Sequence, residues 1–174
     1  VSTDLQLLVN AIGMYAVGFP AAWMIFRSIS CPDPARRTEK WELWSWIGLY
    51  LICTGVAVAG NLISVVLTSI LGPLAGTNVV ETLILRSNPL LNFILTVIAA
   101  PVVEELLTRK FLMDRILVYA EKTAIVVSAL LFGLMHGNLY QFFYAFGVGL
   151  ILAYAYVRTG NVMGTIALHM AINF

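Results

Sequence analysis

Three short pieces of this sequence place groups capable of proton transfer and hydrogen bonding inside apolar surroundings. In "APVVEELLTRKF" two glutamates, Glu104 and Glu105, and Arg109 follow a long apolar run. In "FGLMH" Phe132 precedes His136 by four residues, and in "HMAIN" His169 precedes Asn173 by four. These are the only two histidines of the chain, and both fall in apolar segments. On a helix, residues four apart share a face, so each of these pairs can point one way. Glu105 and Arg109, acid first, have the favourable spacing for a structural ion pair. Glu104 lies about 100° away round the helix and has no such partner.

Hydrolysis suits this set. A carboxylate withdrawn from bulk water becomes a stronger proton acceptor, and a neighbouring histidine can share the work of orienting and deprotonating a water. His169 and Asn173 can donate hydrogen bonds to the oxyanion formed when that water attacks a carbonyl. No serine or cysteine stands in a nucleophile motif, which favours direct attack by water over an acyl-enzyme. The rival chemistry is a zinc site on Glu104, His136 and His169, whose ligand types are right although the HExxH spacing is absent. A snorkelling helix end is the bland alternative for the charges, and packing is the bland alternative for each histidine.

The elements that must hold these groups are set by composition. The chain has 174 residues, 60% apolar and 11% charged, with a mean hydropathy of +0.91. That is too apolar for a soluble domain and points to an integral membrane protein. A net charge of +1 without a basic stripe gives no reason to expect a nucleic-acid partner. Cys31 and Cys53 have the spacing of neither a disulfide framework nor a zinc site and are read as structural or incidental.

A bilayer core of about 30 Å takes roughly 20 apolar residues per helix, and on that scale six spans emerge. They cover about Leu5 to Phe26, interrupted at Pro20; Leu43 to Leu71; Leu90 through the glutamates; Thr123 to His136; Leu139 to Val157; and a last one from Val162. The expected fold class is therefore all-α, a polytopic transmembrane helix bundle. One domain over residues 1–174 is expected, cut at both ends, with residues 100–174 carrying the chemistry. Trp41, Trp44 and Trp46 read as an interfacial anchor, and the loop before Pro89 as the place for a short surface helix. All basic residues but Arg86 fall in the odd-numbered loops. The positive-inside rule then makes those loops cytoplasmic, leaves Val1 outside, and leads to a site expected to open on the cytoplasmic side.

Charges within a membrane are costly and turn inward. If Arg109 is buried with Glu105 and the helix leaves the membrane near Asp114 and Arg115, Glu104 lies about 15 Å inside, near His136, His169 and Asn173 at about 12–21 Å. Pro101 can loosen the backbone just ahead of the glutamates. Gly133 and Gly137 form a GxxxG read as helix packing, as are Gly147 and Gly149. The run "YQFFYAF" reads as lipid-facing or core, and Asn138 as a helix cap.

"EELLTR", "FGLMH" and "HMAIN", in this order, resemble the CPBP family of intramembrane proteases, which includes type II CAAX prenyl endopeptidases, Abi proteins and bacteriocin-processing or self-immunity proteins. The likeness covers about Pro101 to Asn173. It implies a helical fold of about eight spans and a glutamate-dependent endopeptidase without a bound metal or other cofactor. Glu104 and His136 would be the water-activating pair, His169 and Asn173 the oxyanion site, and Glu105, Arg109 and Phe132 supporting residues. The implied partners are membrane lipid and a peptide or protein substrate, which in the CAAX members is prenylated. A non-hydrolytic scaffold, an immunity protein and a proton-coupled transporter are the competing functions, the transporter lacking the internal repeat it should show. The compact chain suggests a bacterial cell membrane.

Overall fold

A computed structural model describes residues 2–31, 37–72 and 85–174. Among the described residues there is no strand; six helices account for the fold. We number them α1 (Thr3–Ser28), α2 (Leu43–Leu71), α3 (Pro89–Ile116), α4 (Glu121–Met135), α5 (Leu139–Thr159) and α6 (Val162–Asn173). They fall where the apolar runs predict. Four of them, α1, α2, α3 and α5, are long and apolar enough to cross a membrane, whereas α4 and α6 are shorter. The expected surface helix before Pro89 falls mostly on residues 73–84, outside the described residues. Apolar residues such as Leu51, Val58, Leu62, Val66 and Ile70 of α2 face outward, as a lipid solvent allows and water does not.

Helix α5 is the centre of the bundle, and its neighbours reach it through glycine. At Gly60 on α2 an added Cβ would lie 2.5 Å from the Tyr144 backbone, and at Gly149 on α5 it would lie 3.2 Å from Ala129 Cα on α4. In lipid, where apolar burial supplies little drive between helices, such close backbone approach is what makes dispersion contacts large. Gly147 of α5 likewise faces Val56 of α2. Gly137 departs from the GxxxG expectation. Its φ of +66° makes it the left-handed residue that ends α4 and turns the chain into α5, where Asn138 caps the new helix by accepting from the Gln141 N–H.

Two prolines are absorbed rather than obeyed. Pro20 does not interrupt α1, and Pro101 does not interrupt α3. In each helix a π-helical stretch, Ile12–Gly18 and Phe93–Ala99, ends two residues before the proline. Widening the turn lets the helix continue past a residue with no N–H to give. The Ala100 N–H bonds to Leu95 O, so the Thr96 carbonyl would look to position 101 for its partner and finds proline there. That orphaned carbonyl becomes an acceptor inside the site.

The loops gather at the two ends. Arg37 and Glu39 bond through their backbone N–H groups to Val157 and Arg158 at the end of α5, and Glu39 also pairs with the Arg158 side chain. Arg37 stands 4.0 Å from Glu121 at the start of α4. Arg115 donates to the Phe26 carbonyl, tying the ends of α3 and α1 together. One end of the bundle therefore collects the basic loops. The other holds Asp4, which accepts from the Asn88 N–H, and the α4–α5 turn. Trp41 stacks obliquely on Trp46 and Tyr154, so this aromatic belt is also a packing element. Cys31 and Cys53 are free thiols, the second fully buried.

Candidate active site

All six helices, α1 to α6, line a cavity of about 470 Å³. Its wall carries Glu104, Phe132, His136, His169 and Asn173, four of them the proposed reacting groups, together with five polar residues of other helices. Each is delivered by a specific local feature.

Glu105 and Arg109 are side by side on α3 with side chains 0% exposed, Arg109 Nε 3.3 Å from Glu105 Oε2. They face each other as an ion pair without hydrogen-bond alignment. The guanidinium also donates to Thr108 Oγ1 at 2.5 Å, to Ser128 Oγ at 3.2 Å and to Gly149 O at 3.4 Å, and its carbon lies 5.0 Å from the centre of the Phe132 ring. Arg109 thus ties α3 to α4 and α5 beneath the cavity. Burial of a charge is tolerated only where pairing and hydrogen bonds replace water, and both are present here.

His169 of α6 completes that cluster. Its Nδ1 lies 3.2 Å from Glu105 Oε1, and its Nε2 lies 3.8 Å from Glu104 Oε2. One imidazole therefore reaches both adjacent carboxylates. Glu104 is the carboxylate left toward the cavity, 13% exposed, with no arginine of its own. The division expected from spacing, one glutamate held and one presented, is the arrangement found.

His136 ends α4, with Nδ1 2.9 Å from the Phe132 carbonyl one turn back. That contact fixes the ring and leaves Nε2 as the other nitrogen. Phe132 is the spacer between the polar groups. Its ring meets those of His136 and His169 edge-on at 5.2 and 5.4 Å while its face takes the Arg109 guanidinium. Glu104 and His136 share the cavity with no direct hydrogen bond or ion pair between them. Asn173 Nδ2 donates to Thr96 O, the carbonyl that Pro101 leaves unpartnered, at 3.0 Å. Asn173 is thereby anchored at the cavity wall by one of its two amide hydrogens.

The positions along the helices locate the cavity within the bundle. At about 1.5 Å per residue, Glu104 lies about 18 Å along α3 from Ile116 and His136 about 22 Å from Glu121, while Gln141 and Asn10 lie about 27 Å from Thr159 and Ser28. The cavity therefore extends through the half of the bundle remote from the basic loops.

Sequence reasoning also missed Asn10 and Tyr15 of α1, Asn61 of α2, and Gln141 and Tyr144 of α5, all of which line the cavity. Asn10, Asn61 and Gln141 carried a usable signal, since each is a carboxamide within an apolar span. The aromatic run containing Tyr144 was read as lipid-facing or core, but its Gln141, Tyr144 and Ala145 stripe faces the cavity, while Phe142 covers Gly133. Among the described residues no three His, Cys, Asp or Glu side chains converge as a metal site requires.

Comparison with known proteins identifies the family. The type II CAAX prenyl endopeptidase Rce1-like family matches residues 86–174, which include every residue of the three motifs. Neither a curated protein nor a solved structure matches the chain. With half of its length matched and the motif residues gathered round one cavity in an all-helical polytopic bundle, this chain belongs to the type II CAAX prenyl endopeptidase Rce1-like family of membrane proteases.

Proposed function

We propose that the protein is a glutamate-dependent intramembrane endopeptidase in which a water held between Glu104 and His136 attacks the peptide carbonyl. The observation that carries this reading is the split between the two glutamates: Glu105 is committed to Arg109, and Glu104 faces a cavity with both histidines on its wall. A cavity of about 470 Å³ whose largely apolar wall carries these polar groups has room for water, and a water needs two or more polar partners to be held.

The steps balance as follows. Glu104 takes a proton from the water as its oxygen bonds to the carbonyl carbon, and the carbonyl π pair moves onto oxygen. His136 orients the water through its second nitrogen. Hydrogen-bond donors of the wall stabilise the resulting oxyanion, His169 and Asn173 being those that the family pattern supplies. The C–N bond then breaks, the oxyanion pair re-forms the carbonyl, and the proton on Glu104 passes to the leaving nitrogen. The glutamate is returned ionised. Arg109 and Glu105 hold the α3 frame, and Phe132 sets the spacing of the two imidazoles.

The substrate proposed for this site is a peptide cut near its C-terminus, with a prenylated cysteine as the first chemistry to test. Cleavage of a fluorogenic CAAX peptide, farnesylated or bare, by the full-length protein in detergent tests the reading. Activity that survives a strong chelator and disappears in His136→Ala supports it. Activity lost to chelation and restored by zinc would place Glu104 and the histidines in a metal site instead. A folded protein inert on both peptides, whose Glu104→Ala and His136→Ala variants keep a cellular phenotype, would favour a non-hydrolytic scaffold or immunity role.

A further inference from the structure

Tyr144 lines the cavity beside His136, their ring centroids 6.1 Å apart, and none of the three motifs includes it. The role of its hydroxyl oxygen can be worked out from the hydrogen bonds around it. Asn138 accepts the Gln141 backbone N–H on Oδ1 at 2.9 Å, which fixes its amide orientation, because only the oxygen can accept. Its Nδ2 then donates to His136 O and to Gln141 Oε1, both at 2.8 Å. With Oε1 of Gln141 occupied as acceptor, Nε2 is the end that reaches Tyr144, and it donates to the phenol oxygen at 3.0 Å. The Tyr144 oxygen is therefore an acceptor in this relay. Its own proton must go elsewhere, and among the described residues none accepts it.

We propose that Tyr144 is a hydrogen-bond donor to the carbonyl oxygen of the bound peptide, a third oxyanion donor held in register by the relay Asn138–Gln141. This rests on the hydrolytic reading above and deepens it. The two donors supplied by the motifs are partly engaged with the protein: His169 contacts both glutamates, and Asn173 gives one hydrogen to Thr96 O. A cavity-lining phenol whose oxygen is already held as an acceptor, and whose own hydrogen has no partner among the described residues, is the group left with its full donor capacity. The relay also begins at the carbonyl of His136, so the turn that places the water-activating imidazole and the side chain that places the donor are the same few residues. Gln141 and Asn138 are then positioning residues.

The test uses the full-length protein in detergent and a farnesylated fluorogenic CAAX peptide. Loss of one oxyanion donor lowers kcat by about 10²–10³. Tyr144→Phe is expected to fall in that range with KM within about threefold and an unchanged melting profile. Gln141→Met, which removes the donor to Tyr144 but keeps the volume, is expected to lower kcat about tenfold, and by no further factor when added to Tyr144→Phe. That non-additivity is what a purely structural tyrosine would not give. A Tyr144→Phe enzyme with kcat within threefold of wild type overturns the proposal, as does a Gln141→Met effect that multiplies with it. The hydrolytic reading fails separately, by a Glu104→Gln variant that keeps its rate; an inert Glu104→Gln beside a fully active Tyr144→Phe would sink the tyrosine donor alone.

Discussion

Replacing Arg109 by methionine should be among the most damaging single changes in this protein, and the contacts say by how much. The substitution removes the partner of Glu105 and donors to Thr108 Oγ1, Ser128 Oγ and Gly149 O, all within a cluster 0% exposed at both charged side chains. Breaking a buried ion pair from one side costs about 3–5 kcal/mol, because the remaining charge stays buried without compensation. Removing both charges is different: Glu105→Gln with Arg109→Met leaves no uncompensated ion, and well-packed neutral replacements of buried pairs are often close to neutral in stability. The Gln side chain can still meet His169 Nδ1, now 3.2 Å from Glu105 Oε1. Reversible unfolding in mixed micelles, following helical signal against denaturing detergent, gives the four corners of the double-mutant cycle. The expected pattern is about 3–5 kcal/mol lost in Arg109→Met and a coupling energy of at least about 2 kcal/mol in the double variant. A single-variant loss below about 1 kcal/mol, or simple additivity, would refute the view that this pair frames the site.

Other outcomes follow from the packing and the caps. Gly60→Ala places a methyl 2.5 Å from the Tyr144 backbone and should cost at least about 1–3 kcal/mol in the same unfolding assay, whereas Gly55→Ala, with open space around it, should cost nothing or stabilise. Phe132→Ala should lose about 3–5 kcal/mol, since that ring separates Arg109 from both imidazoles, with peptide cleavage falling alongside. Asn138→Ala removes the α5 cap and should cost about 0.5–2 kcal/mol, read as an earlier midpoint at unchanged slope. In a Cys31→Ser background, single cysteines at Tyr119 and Asn88 should be labelled by an impermeant maleimide from opposite faces of sealed vesicles, because they stand at opposite ends of the bundle.

How much of this was legible depends on range. The Glu105–Arg109 pair could be read directly because both partners lie on one helix, four residues apart, and the lipid solvent leaves a buried arginine few alternatives. The spans could be read because the length needed to cross a bilayer is a property of the solvent as much as of the chain. Tyr144 could not, because its role depends on which face of α5 turns inward, and that is decided by Gly60 and Gly149 letting α2 and α4 approach. Pro20 misled locally, because α1 runs through it without interruption. A π-helical turn absorbs the missing N–H there and at Pro101, and the carbonyl freed by Pro101 becomes the anchor for Asn173, 77 residues away.

The most direct test of the central claim compares Glu104→Gln with Glu105→Gln, measuring kcat on the farnesylated peptide and stability on the same preparations. Removing a general base costs about 10²–10⁴ in rate. Glu104→Gln should lose at least that much kcat with its unfolding midpoint unchanged, and Glu105→Gln should lose stability first, with activity surviving in the fraction that stays folded. A Glu104→Gln enzyme that cleaves at the wild-type rate would contradict the account.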